Sequence, residues 1–257
     1  MTTTFADLHH QDAPLLLPNA WDHASAAALA AQGFEAIATT SLGVAAAAGL
    51  PDGDGAGATR DATLELALRL GQGPYLLSVD AEGGFSDDPD EVAEAARELV
   101  AAGAVGINLE DGLGSVRRHA AKIAAVKAAV PGLFVNARTD TYWLGDGDES
   151  DTFRRLDAYQ QAGADGVFVP GLTDSTRIAT LAETLDVPLN ILYSPSGPTV
   201  PQLGDLGVRR VSLGSLLYRR ALGAALETAA DIRAGHTPSG SAPAYHQMEA
   251  LSPRRGA

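Results

Sequence analysis

The sequence predicts a single (β/α)8 barrel. Three observations carry that expectation: a length of 257 residues, a glycine that recurs between a helical pattern and a short apolar run, and eight such runs in series. A barrel of this kind is one domain of about 250 residues around one large core. The glycines are Gly33 in AAQGFEAIA, Gly103 in AAGAVGINLE, Gly163 in QAGADGVFVP and Gly207 in DLGVRRVSLG. Glycine just past a helix reverses the chain through the left-handed conformation, and the residues that follow enter a buried parallel strand.

In chain order, the apolar runs are Leu15 to Leu17, Ala36 to Ala38, Tyr75 to Val79 and Val105 to Leu109, then Leu133 to Val135, Val167 to Val169, Leu189 to Leu192 and Val208 to Leu213. Helical patterns separate them. In the clearest, DPDEVAEAARELVAAG, Asp88 is the expected N-cap, Pro89 the first helical residue and Glu91 the partner in a capping box. Its apolar face is expected to be Val92, Ala95, Ala96, Leu99 and Val100. The barrel is expected over 1–234, followed by an extended or disordered tail over 235–257, which is rich in Gly, Pro and Ser.

The composition excludes several classes of function. With 32 acidic against 18 basic residues, the net charge of −14 repels nucleic-acid backbones and anionic lipid, so neither is an expected partner. The absence of cysteine removes thiolate nucleophiles and thiolate metal sites. No signal-peptide pattern and no long uncharged apolar run occurs, and the expectation is a soluble, cytoplasmic protein. There is no GxGxxG, no GxSxG and no P-loop spacing. The histidines (His9, His10, His23, His119, His236 and His246) avoid the expected strand ends and read as ordinary surface or helix residues. Lys122 and Lys127 fall on a helix, which leaves no strand-end lysine for a Schiff base.

Catalytic groups of such barrels project from the C-terminal ends of the strands. There the chain carries Asp80 and Glu82 in VDAEGG, Glu110 and Asp111 in NLED, and Arg138 and Asp140 in NARTD. Asp80 and Glu82 are two residues apart, so an extended backbone would turn both to one side, beside Glu110 of the adjacent strand. Carboxylates so placed repel one another unless a cation lies between them, and an oxygen-only set selects a hard ion such as Mg²⁺ or Mn²⁺. Asp111 and Asp140, each taken alone, read rather as N-caps of the helices that follow.

Arg138 is suited to bind a substrate carboxylate through its planar fork; the alternative is an ion pair with Asp140 or Glu110. The turn Thr40-Ser41-Leu42-Gly43 can aim backbone N–H groups at a carboxylate or oxyanion. The stretch GLPDGDGAGATRD reads as a mobile loop over the site, in which Asp52 is either a group near the metal or a turn residue.

The segments PNAWDHASAAALAAQGFEAIATTSLGVAAAAGLPDGDG, SVDAEGGFSDDPDEVAEAARELVAAGAVGINLEDG and VNARTDTYW, in this order between about Leu17 and Leu222, resemble the isocitrate lyase and phosphoenolpyruvate mutase superfamily. The resemblance implies a Mg²⁺-dependent barrel that makes or breaks carbon–carbon or carbon–phosphorus bonds beside a 2-oxo acid through an enolate, in homo-oligomers that swap the last helix. It implies Asp80 as direct metal ligand, Glu82 and Glu110 acting through water, and Asp52 near the reacting carbon. Thr40, Ser41, Leu42 and Arg138 fall at the substrate, and Asn190 resembles an asparagine used by some lyase members.

Two departures stand out. The lyases' KKCGH segment is replaced by GLGSVRRH, in a chain without cysteine, and Pro170 and Gly171 occupy the place of the mutases' histidine. The expected function is therefore a metal-dependent lyase acting on a small 2-oxo or 2-hydroxy carboxylate. Oxaloacetate decarboxylation and retro-aldol cleavage both fit, the alternatives being carbon–phosphorus chemistry on phosphonopyruvate and a non-catalytic carboxylate-binding protein.

Overall fold

A computed structural model describes residues 4–53 and 57–251. Nine parallel strand segments close into a barrel in the order β1-β9-β8-β7-β6-β5-β4-β3-β2. They are β1 (Leu15–Leu17), β2 (Asn19–Ala20), β3 (Ala36–Thr39), β4 (Leu76–Asp80), β5 (Ala104–Glu110), β6 (Phe134–Arg138), β7 (Gly166–Val169), β8 (Leu189–Leu192) and β9 (Arg210–Ser212). Eight runs become nine because the first strand is divided at Pro18, which has no N–H to give a ladder. The carbonyls still close the ring. Leu17 accepts from Leu213 N at 3.3 Å on one side, and Pro18 accepts from Ala38 N at 2.9 Å on the other.

The helices are α1 (His23–Ala31), α2 (Ser41–Ala48), α3 (Arg60–Leu70), α4 (Pro89–Ala101), α5 (Val116–Ala129), α6 (Glu149–Gln161), α7 (Ser175–Thr184), α8 (Val200–Asp205), α9 (Leu216–Arg233) and α10 (Tyr245–Ala250). Gly33, Gly103, Gly163 and Gly207 all take φ between 88° and 104°, the left-handed reversal expected at each helix-to-strand junction. Asp88 caps α4 through Asp90 N at 2.9 Å. The capping box does not form, because Glu91 instead accepts from the Ser86 hydroxyl, which itself accepts from Asp88 N. The buried face of α4 includes Ala93, while Val100 is exposed. After Gly235 the chain runs without regular structure to α10, and His23 Nε2 lies 3.1 Å from the carbonyl of Leu251. Residues 252–257 of the expected tail lie outside the described residues.

The N-terminal end of the barrel is plugged by an aromatic cluster. The Phe5 ring meets Phe134 edge-on at 5.4 Å, and the imidazole of His9 stacks on Phe134 at 4.2 Å. Position 106 must be glycine, since a Cβ there would lie 2.6 Å from the Phe5 ring. His9 was expected to be ordinary; it is instead 1% exposed, with Nδ1 2.9 Å from the Phe5 carbonyl. Burial, and then the charge of Arg210, lower its pKa to about 3.

Asp111 is not a helix cap either; Ser115 caps α5. The Asp111 carboxylate instead ties three elements together. It accepts from Tyr159 Oη at 2.7 Å, Thr139 Oγ1 at 2.8 Å and Arg155 Nη1 at 2.9 Å, and from the backbone N–H groups of Leu113 and Asp140. Burial works against its charge, yet these donors hold the carboxyl below its ordinary value.

Two stability predictions follow from these buried groups. The unfolded chain protonates His9 near 6.5, whereas the folded protein keeps it neutral down to about 3. Its contribution is therefore complete above pH 6.5 and is lost as the pH falls. Between pH 7 and pH 5 the parent should lose about 2 kcal/mol more stability in urea unfolding than His9→Phe; equal losses would mean that the folded protein accepts the proton. Asp111→Ala leaves Arg155 with Asp151 as its carboxylate partner but removes the acceptor of the buried Tyr159 and Thr139 hydroxyls, and should cost about 2 to 3 kcal/mol. A loss below about 1 kcal/mol in the same experiment would show that these donors find other acceptors.

Candidate active site

The site forms where parallel strands end and their side chains meet above the last core layer. A cavity of about 200 Å³ is lined there by Thr40, Ser41, Leu42, Asp52, Asp80 and Arg138, six of the residues expected from sequence. Glu82 and Glu110 do not line it; they line a second cavity of about 290 Å³ with Gly83, Asp111 and Lys122. Asn190 lines neither. It is fully buried one layer lower, beside Arg210 in the strand register, and its Nδ2 donates to Ser212 Oγ at 3.0 Å.

The turn after β3 works through its backbone. Thr40 precedes the first turn of α2, and Ser41 N donates to Asp80 Oδ2 at 3.1 Å. Thr39 Oγ1 in turn accepts from Asp80 N at 2.9 Å, so β3 fixes both the backbone and the carboxylate of Asp80. The Ser41 hydroxyl is hydrogen-bonded to Asp52, whose pKa is raised first by partial burial and further by Asp80. Residues 54–56 of the expected loop lie outside the described residues.

Glu82 reaches the site by a different route from the one the strand period suggests. The strand ends at Asp80, and Glu82 adopts φ 49° in the turn that follows. Such a backbone is unusual for a residue with a Cβ and is held here by neighbours: Glu110 N donates to the Glu82 carbonyl at 2.8 Å, and the Thr59 hydroxyl donates to its carboxylate. Burial raises the Glu82 pKa, with Asp80 and Asp52 adding to the shift.

Arg138 makes both ion pairs that its sequence neighbours suggested. Nη1 lies 2.7 Å from Glu110 Oε2 and Nε lies 2.7 Å from Asp140 Oδ1, while the guanidinium sits 5.9 Å from the Phe168 ring centroid. Asp140, expected as a cap, is a fully buried anchor for this arginine. Burial pushes the Glu110 pKa up to about 8 against the opposing pull of Arg138, and Asp80, Asp140 and Glu82 raise it further. Five carboxylates thus share one neighbourhood with one arginine at the surface of the cavity.

The sequence reading missed the polar floor beneath them. Asn108, Ser212 and Asn19 line the same cavity as Asp80. Arg210 lies below, 0% exposed, with Nη2 3.0 Å from Asn108 Oδ1 and Nε 3.3 Å from Ser212 Oγ. Burial lowers its pKa to about 9, Asp80 opposing, so it remains a cation at neutral pH. A signal for this layer exists in the sequence: Asn19, Asn108, Asn136 and Asn190 each interrupt an otherwise apolar strand.

Comparison with known proteins gives one consistent answer. Residues 5–233 match the phosphoenolpyruvate phosphomutase family. An uncharacterized protein of Mycobacterium tuberculosis H37Rv is 45% identical over 252 residues, covering 96% of this chain and 95% of its own. The 2-methylisocitrate lyase of Bacillus subtilis is 31% identical, covering 77% of this chain and 70% of its own. An oxaloacetate decarboxylase of Pseudomonas fluorescens is 35% identical over 125 residues, which span 48% of this chain and 40% of that enzyme. Among solved structures, a Burkholderia cenocepacia J2315 protein provisionally described as a lyase/mutase superposes with a TM-score of 0.88 at 36% identity, covering 96% of this chain and 93% of its own. Oxaloacetate acetylhydrolase in complex with the product oxalate shares the fold, with a TM-score of 0.83 at 23% identity over 96% of this chain and 92% of its own. The chain therefore belongs to the phosphoenolpyruvate mutase/isocitrate lyase superfamily, a group of lyases and mutases built on this barrel.

Proposed function

We propose that this protein is a divalent-metal-dependent lyase that cleaves a carbon–carbon bond of a small 2-oxo acid, with oxaloacetate decarboxylation as the leading reaction. The observation that carries the reading is that Arg138, Asp80 and the Thr40-Ser41-Leu42 turn all line one small cavity. A guanidinium, a carboxylate suited to a hard cation and a turn of backbone N–H groups together suit a 2-oxo carboxylate.

The residues present fit a divalent cation. Burial first, and the neighbouring acids after it, raise the pKa values of Asp52, Glu82 and Glu110, a condition that a bound cation would relieve. Among the described residues no three such side chains close into a single coordination sphere. In this reading, which follows the family likeness, Asp80 would bind the ion directly and Glu82 and Glu110 would reach it through water. A bound Mg²⁺ or Mn²⁺ supplies Lewis-acid stabilisation of negative charge on the substrate oxygens. Arg138 would hold the substrate carboxylate and, with Ser41 N engaged by Asp80, the Leu42 N–H would be the donor of the turn left for the oxygen on which charge develops.

Decarboxylation suits what this chain lacks. The bond between the methylene carbon and the departing carboxylate breaks, its electron pair forms the enolate of pyruvate, and CO₂ leaves without needing a proton. Solvent can protonate the enolate carbon afterwards. Isocitrate cleavage instead asks for a positioned acid at the dicarboxylate product, worth about 10²- to 10⁴-fold, and the shortened GLGSVRRH segment carries no cysteine to provide it. The match to the phosphomutase family keeps carbon–phosphorus chemistry as the second reading, which phosphate release from phosphonopyruvate would reveal.

Pyruvate release from oxaloacetate should exceed the rate with free Mg²⁺ alone and stop on chelation, while glyoxylate release from isocitrate stays at the blank rate. Asp80→Ala should abolish calorimetric Mg²⁺ binding. Arg138→Ala should lower kcat/KM roughly 30- to 1,000-fold, as expected for a lost carboxylate contact of about 2 to 4 kcal/mol. Chelator-insensitive turnover, or an Arg138→Ala enzyme changed only in thermal stability, would overturn the reading; no turnover of any 2-oxo acid would favour a binding protein.

The protein is further proposed to assemble with copies of itself through α9. None of the 18 residues of this helix is buried, and Leu222, Leu226 and Ile232 are 50%, 64% and 63% exposed. Leu222 and Leu226 lie one turn apart on one face, and aliphatic side chains this open are characteristic of an association surface. Light scattering should give a multiple of the 26.4 kDa chain mass, and Leu226→Asp should shift the protein toward monomer. A monomeric parent would refute the assembly.

A further inference from the structure

The polar floor of the cavity contains a donor whose direction is fixed from below. Asn108 lies on β5, paired in register with Asp80 of β4 on one side and Asn136 of β6 on the other. Its Oδ1 accepts from Asn136 Nδ2 at 2.9 Å and from Arg210 Nη2 at 3.0 Å. An arginine has donors and no acceptor, so the edge of the Asn108 carboxamide that faces Arg210 must be its oxygen. The two donors occupy both lone pairs of that oxygen, and the carboxamide cannot turn over without setting N–H against N–H inside the barrel.

The other edge of Asn108 is then Nδ2. Among the described residues this nitrogen has no protein partner, and it is not among the polar atoms sealed from solvent. Asn108 itself is only 6% exposed, and it lines the cavity that holds Asp80 and Arg138. The opening through which its amide meets solvent is therefore the proposed substrate cavity. Arg210, 0% exposed and without a carboxylate partner within ion-pair distance among the described residues, otherwise has no structural account. An unpaired buried cation is costly, and a hydrophobic residue of similar volume would be the cheaper solution for a purely structural position.

We propose that Asn108 is a substrate-contacting residue, presenting its Nδ2–H donors to an oxygen of the bound 2-oxo acid beside Asp80, and that Arg210 is the positioning residue that fixes this orientation. The inference rests on the functional reading given above and adds a specificity element to it. A donor on the floor favours substrates with an acceptor oxygen deep in the cavity over those that place an apolar carbon there.

The probe is oxalate, a planar dianion with the carboxylate and oxygen pattern of the enolate of pyruvate, titrated calorimetrically into the intact protein with Mg²⁺ present. Asn108→Asp keeps an oxygen toward Arg210, now in an ion pair, and replaces the cavity-facing donor by an acceptor. Oxalate affinity should fall roughly 10- to 100-fold, the range for a hydrogen bond to a charged group, with Tm unchanged or raised and Mg²⁺ affinity undiminished. Arg210→Met removes the lock while filling the space; oxalate binding should weaken about tenfold with Tm held, and Arg210→Lys should restore part of it. A structural residue would give the opposite pattern, a lower Tm with unchanged oxalate affinity in whichever of these variants folds. Binding by the parent matched by Asn108→Asp or by Arg210→Met overturns this inference alone. A parent that binds no oxalate with Mg²⁺ overturns the functional reading and this inference together.

Discussion

The guanidinium of Arg138, held between Glu110 and Asp140 at 2.7 Å each, is the constraint around which the mouth of this barrel is organised. Parallel strands deliver their last residues to one end, and here those residues are predominantly acidic. Without a compensating charge, burial would drive protons onto several of them, as the rise of the Glu110 pKa to about 8 already indicates. One arginine cannot neutralise five acids. The remaining deficit leaves this end of the molecule negative, the condition that the proposed divalent cation would relieve.

A second cation, Arg210, lies below the first and differs from it in kind. Arg138 is paired with carboxylates and borders the cavity, whereas Arg210 is fully buried and bonded to neutral groups, Asn108 and Ser212. Its field is felt in both directions. It opposes protonation of His9 in the aromatic plug, and Asp80 above helps to keep it charged. Asn108 and Ser212 replace part of the hydration of the guanidinium, while its Nη1 is buried without a partner among the described residues. The interior of this barrel is therefore a polar layer between an aliphatic shell and an aromatic base.

How much of this was legible in the sequence depended on whether the signal was local. Reversals at Gly33, Gly103, Gly163 and Gly207 need only the chain on either side, and all four occur with positive φ. Strand ends were placed within a few residues for the same reason, and of the polar residues expected at those ends Asp80, Arg138 and the Thr40 turn line one cavity. What failed was what depends on distant partners. Glu82 was expected to reach the site by strand alternation, but it does so through a left-handed turn held by Glu110 and Thr59. Asp111 was expected to cap a helix, and its partners Tyr159 and Arg155 lie more than forty residues away. Asn190 was read from motif likeness and proved to sit below the cavity, hydrogen-bonded to Ser212.

The Asp111 network also bears on which chemistry the site can support. The turn that follows β5 is short, contains Gly112 and Leu113 at φ 51° and 60°, and is pinned by the bond from Leu113 N to Asp111. Arg155 grips the same turn from α6 through the Gly114 carbonyl at 3.0 Å. The start of this segment is thus held by the buried carboxylate at Leu113 and by its arginine partner at Gly114. The bonds that hold α6 against this turn therefore fix the backbone beside Glu110 and Asp111. Under the proposed decarboxylation, in which the departing fragment leaves as neutral CO₂, no acid is required from this side.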